Sequence, residues 1–105
     1  MRLLPCVALL CATAVAPSVA AQPLSRFSEQ KAEALLLEKL PCLGCHQYGD
    51  EGGRLAPDLM TVRTRRSAAY VAQIIADPQR VRPGSMMPKH AMPSAQEQLI
   101  VRYLA

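Results

Sequence analysis

Apolar positions recur at helical spacing in three parts of this chain. Ala32, Leu35, Leu36 and Leu40 fall on one side of a helix that opens with Ser28 as its N-cap and is stopped by Pro41. Tyr70, Val71, Ile74 and Ile75 predict a second helix from about Ser67 to Ala76, ended by Asp77-Pro78. Leu99, Ile100, Tyr103 and Leu104 predict a third, opened by the capping-box pattern Ser94-Ala95-Gln96-Glu97. Each stripe reads as a core face. Between them lie loops marked by Gly and Pro, 49–57 and 78–93, and no alternating run predicts a strand. The expected fold class is all-α.

The N-terminus follows a different pattern. Arg2 precedes an apolar run from Leu3 to Ala16, and Ser18-Val19-Ala20 or Val19-Ala20-Ala21 supplies small residues for cleavage. This is the layout of a secretory signal, so residues 1–21 are expected to be removed and 22–105 to form one domain. Pro5 and Pro17 shorten the apolar helix below the ~20 residues a span requires, so no stable membrane span is expected after cleavage. A lipoprotein role for Cys11 is disfavoured by Leu10, where a small residue is usual. Cleavage also removes Cys6 and Cys11, leaving Cys42 and Cys45 and no disulfide framework.

Those two cysteines belong to Cys42-Leu43-Gly44-Cys45-His46, the C-x-x-C-H pattern of covalent haem attachment. Two thiols at this spacing each bond to a vinyl group of one porphyrin, and the adjacent histidine is placed to ligate the iron. A structural zinc site needs four ligands, and no second C-x-x-C or pair of histidines accompanies the first. A thioredoxin-like dithiol needs a βαβ setting, whereas helix is expected before Cys42 and loop after it. Size points the same way. A domain of ~84 residues struggles to bury enough apolar surface alone, and this one has no Trp and a single Phe, Phe27. A buried porphyrin would complete its core.

Charge adds a possible surface role. Without Arg2 the chain keeps 11 basic and 8 acidic side chains, a net charge of +3. Arg63, Arg65, Arg66, Arg80, Arg82 and Lys89 all lie between the haem motif and the last helix. They are either ordinary solvated charges or a positive face that steers docking to acidic redox partners. No nucleic-acid reading motif is present, so nucleic acid is not an expected partner. Covalent haem is attached on the outer side of an energy-transducing membrane; in a bacterial cell the expected location is the periplasm.

The order of these pieces resembles a small class I cytochrome c. The likeness rests on Cys42 to His46, Ala56-Pro57-Asp58-Leu59, Asp77-Pro78, Pro83-Gly84-Ser85-Met86-Met87-Pro88 and Val101-Arg102-Tyr103-Leu104. It implies a cytochrome c fold, three or more helices wrapped around one covalently attached haem c, with the first and last helices packed together. His46 is then one axial ligand. The resemblance makes Met87, directly before Pro88, the other, ahead of Met86, Met92 and His90. Met86 and Met92 otherwise pad the pocket as flexible apolar filler, and His90 is an exposed loop residue. The resemblance also implies that the Pro57 carbonyl accepts a hydrogen bond from His46, with Ala56 standing where glycine is usual. Arg54, Arg63, Arg66, Tyr48 and Tyr70 are available to the haem propionates.

Methionine ligation raises the potential of the iron and blocks substrate access. The function this implies is electron carriage between redox proteins, not enzymatic catalysis. Two other classes stay open: a haem subunit of a larger redox complex, and a haem enzyme or gas sensor whose iron keeps an open position.

Overall fold

The computed structural model describes residues 22–105. The expected signal segment, 1–21, lies outside the described residues. Helical residues make up 57% of the described chain and strand is confined to two short pairs, so the all-α class holds at this level.

Helix α1 spans Arg26–Ala34 and starts earlier than its sequence pattern indicates. Ser25, not Ser28, is the N-cap: its backbone is extended and its Oγ accepts from the Ser28 N–H at 3.2 Å. Ser25 and Ser28 are both capping residues, and nothing in Arg26-Phe27 opposes helix, so the upstream serine takes the role. Past Ala34 the helix widens into a π turn, Leu35–Lys39, closed by the Leu40 N–H on the Leu35 carbonyl at 2.8 Å. Leu40 is extended because Pro41 follows it. Pro41 then opens a 3-10 turn, Pro41–Gly44, at a position where its missing N–H costs nothing.

Strands appear where none was expected. Strands β1 (Gln47–Tyr48) and β2 (Glu51–Gly52) pair antiparallel, with Gln47 opposite Gly52 and Tyr48 opposite Glu51. Gly49 turns the chain at φ +62°, a region that glycine enters without a Cβ clash. The hairpin is too short to show the alternation by which strands are read. A 3-10 helix, Leu59–Thr64, follows; Asp58 Oδ1 caps it through the Met60 N–H at 2.9 Å.

Helix α2 spans Ala68–Ala76 with Ser67 as N-cap, accepting from the Tyr70 N–H at 3.1 Å. Asp77-Pro78 ends it as expected, but the chain then forms one more helical turn, α3 (Pro78–Val81), rather than loop. Asp77 ends one helix and caps the next. Helix α4 spans Ser94–Leu104, and its expected capping box is not formed. Pro93 is the N-cap, its carbonyl accepting from the Gln96 and Glu97 N–H groups at 3.0 Å each. Ser94 is already inside the first turn, so its hydroxyl has no forward amide to meet.

The stripes do meet in a core. Ala32, Leu36, Val71, Ile100 and Leu104 are each at most 5% exposed, with Leu35, Leu40, Ile75, Leu99 and Tyr103 packed around them. Helix α4 packs against both α1 and α2, so the first and last helices are joined as expected. Arg102 reinforces that junction by donating to the Gln22 carbonyl at 2.9 Å. Among the described residues no helix is long and apolar enough to cross a membrane.

Candidate haem-attachment site

The Cys42–His46 run begins in the Pro41–Gly44 turn, which follows the extended Leu40 and the π turn that carries the core residue Leu36. The Cys42 carbonyl accepts from the His46 N–H at 2.9 Å and from the Cys45 N–H at 3.3 Å, folding the motif onto itself. Both thiols are free; Cys42 is half-buried and Cys45 is exposed. Burial pushes the Cys42 thiol above its ordinary range, outweighing a backbone hydrogen bond that lowers it.

The loop after the hairpin returns over the motif. Gly53 donates to the Leu43 carbonyl at 2.9 Å, and the Leu55 and Ala56 N–H groups both reach the Cys45 carbonyl, at 3.1 and 2.9 Å. His46 and Ala56 form an isolated parallel bridge. Ala56 needs no left-handed backbone, so alanine serves where glycine is usual. The glycines that matter are Gly52 and Gly53. A Cβ on Gly52 would collide with the His46 carbonyl oxygen, and one on Gly53 would lie 2.7 Å from the Gly44 carbonyl oxygen. Gly52 also sits at φ +87°. In the sequence this Gly-Gly pair lies within the loop 49–57. Its adjacency was the available signal, since paired glycines often mark close backbone approach.

This arrangement fixes the histidine ring. His46 Nδ1 lies 2.7 Å from the Pro57 carbonyl oxygen. A carbonyl can only accept, so Nδ1 carries the proton and the lone pair of the neutral ring is at Nε2. An imidazole held in this way has its tautomer and orientation already set, as a metal ligand requires.

Exposure separates the four residues considered for the second ligand. Met86 is 92% exposed and His90 is also exposed, whereas Met87 and Met92 are half-buried. Met86 thus faces solvent where Met87 is partly covered. The Met87 N–H donates to Ser85 Oγ at 3.2 Å, and its carbonyl accepts from Gln79 Nε2 at 2.7 Å.

Of the residues considered for propionates, Tyr48 is engaged elsewhere. Its hydroxyl bonds to that of Tyr103, which joins the hairpin to α4. The Tyr48 phenol is pushed well above its ordinary range, first by burial and then by this hydrogen bond. Arg66 lies 4.5 Å from the centre of the Tyr70 ring, a cation–π contact. Arg65 donates to the Asp58 carbonyl at 2.9 Å and closes the 3-10 helix.

The residues present fit a covalently held haem. Two thiols and an imidazole with its lone pair at Nε2 share one five-residue run; the returning loop carries Leu55, 83% exposed, and the 3-10 helix after it carries Met60, 51% exposed. Among the described residues no group of three or more His, Cys, Asp or Glu side chains assembles, as a zinc site would require. The motif follows a helix and precedes a two-residue hairpin, which is not the βαβ setting of a dithiol oxidoreductase. The chain matches no protein family model, and no curated protein matches it in sequence.

Proposed function

We propose that this chain is a small class I cytochrome c, an exported single-haem electron carrier. The observation that carries the reading is the hydrogen bond from His46 Nδ1 to the Pro57 carbonyl. Its role is specific: it holds the imidazole with Nε2 presented as a ligand, which neither thiol chemistry nor a surface histidine needs. In this reading Cys42 and Cys45 hold haem c through thioether bonds, and His46 supplies the proximal ligand. Met87 supplies the distal one, since it is half-buried, directly precedes Pro88 and has its backbone held at both the N–H and the carbonyl.

When bound, haem c supplies one-electron cycling between Fe(III) and Fe(II). The protein side chains set the conditions for it. The neutral thioether of Met87 would favour ferrous iron and raise the potential, and as a ligand it would keep substrates from the metal. Electron carriage follows from that exclusion. The exposed arginines Arg63, Arg80 and Arg82 suit docking to acidic redox partners, with association weakening as salt rises. The signal reading places this activity in the periplasm.

A visible spectrum of the purified protein in both redox states, with its intact mass, tests the proposal. The expected result is a chain heavier by one haem and low-spin in both states. It should also show the weak red-end band of methionine-ligated ferric haem and bind carbon monoxide slowly when reduced. Covalent haem without that band, and with rapid carbon monoxide binding, would instead indicate an open iron and a haem enzyme or gas sensor. A chain of unmodified mass with free thiols would overturn the haem reading itself.

A further inference from the structure

Residues 85–93 form no regular structure, so their geometry depends on bonds to other elements. Three of the contacts come from one short stretch, Asp77-Pro78-Gln79. Pro78 is among the fully buried side chains, which anchors α3 to the core. Gln79, next to it, is exposed, and its Nε2 lies 2.7 Å from the Met87 carbonyl oxygen and 3.3 Å from that of Ser85. Carbonyls only accept, so the amide turns its NH₂ group to them, and its two hydrogens match two acceptors. On the other side of Met87, Lys89 Nζ stands 4.0 Å from Asp77 Oδ2. The turn leading into the segment is closed by the Ser85 N–H on the Arg82 carbonyl at 2.9 Å, with Gly84 at φ +82°.

We infer that Gln79 is a positioning residue for the distal ligand: its amide clasps the Met87 backbone and suppresses the form of the protein in which Met87 has left the iron. The inference rests on the proposed His46–Met87 ligation. Gln79 acts through Met87 and touches no reacting atom. A methionine on an otherwise irregular segment would sample detached positions freely; two hydrogen bonds from a core-anchored turn remove that freedom.

Exogenous imidazole must displace Met87 to reach ferric iron, so its apparent affinity for the ferric holoprotein reads the balance between attached and detached forms. Gln79→Glu keeps the shape but turns acceptors toward two carbonyls; Gln79→Leu removes the donors. Both are expected to bind imidazole about fivefold more tightly than the wild type, the ratio that two hydrogen bonds at the low end of their net worth correspond to. The red-end band should weaken in parallel. Met87→Ala, with no thioether to displace, sets the upper limit. If Met87→Ala tightens imidazole binding while both Gln79 variants keep wild-type affinity, the clasp is refuted and the ligand reading stands. A lowered melting temperature without a change in affinity refutes it too, by making Gln79 merely structural. If Met87→Ala itself leaves imidazole affinity unchanged, Met87 is not the ligand and both fall together.

Discussion

Replacing Leu36 by alanine tests whether the α1–α4 contact is the core of this domain. Leu36 is 0% exposed and lies among Ala32, Val71, Ile100 and Leu104, so alanine strips three buried carbons from a closed cluster. At about 0.8 kcal/mol per buried carbon the transfer loss is roughly 2.4 kcal/mol. The incompletely relaxed cavity brings the expected loss to ~3 kcal/mol, inside the range seen for buried leucines. In a domain of this size that corresponds to a fall of roughly 12–24 °C in Tm. Leu37, the adjacent residue, is 43% exposed, and Leu37→Ala should cost less than ~1 kcal/mol. Urea and thermal unfolding of the two holoprotein variants, followed by far-ultraviolet circular dichroism, measure both. Equal losses, or a Leu36→Ala loss below ~1 kcal/mol, would refute the assignment of this face to the core.

The proposed axial pair separates under substitution. His46→Ala is expected to abolish low-spin haem, whereas Met87→Ala should retain covalent haem, lower the potential and admit carbon monoxide; an unchanged spectrum and potential in Met87→Ala would direct attention to Met92, the other half-buried methionine. Gly52→Ala forces a Cβ against the His46 carbonyl at a left-handed φ of +87°, so a destabilisation of ~2 kcal/mol or more and a disturbed haem spectrum are expected. A wild-type urea midpoint and spectrum would contradict the close packing of β2 on the motif. The pH dependence involves Tyr48, whose folded-state proton is held more tightly than in the unfolded chain because of burial and the Tyr103 hydroxyl. That contribution is fully present below about pH 10 and is lost as pH rises further. Urea midpoints should therefore fall between about pH 10 and pH 11 in the wild type and fall less in Tyr48→Phe; parallel curves would exclude the tyrosine pair as the cause.

Local signals were legible where the physics is local. Ser67 and Asp77-Pro78 bound α2 as their sequence indicates, because capping and proline restriction act within a few residues. Where two local signals competed, sequence was a poorer guide. Ser25 displaced Ser28 as a cap, and Pro93 displaced Ser94, since each choice turns on which backbone is extended in the folded chain. The Tyr48–Tyr103 contact, 55 residues apart, left no trace in the pattern.

The candidate site divides along the same line. Spacing alone places two thiols and an imidazole in one turn, because Cys42 to His46 are covalent neighbours and their chemistry needs no distant partner. Pro57 as the partner of His46 came from family resemblance, and its carbonyl lies 2.7 Å from Nδ1 only because the loop is drawn back by Gly53, Leu55 and Ala56. Which methionine faces inward, why Gly52 and Gly53 carry no side chain, and what holds Met87 were decided by tertiary structure. The glycine and Met87 contacts join groups six to nine residues apart along the chain, and hydrogen-bond reach and steric exclusion are properties of distance in space.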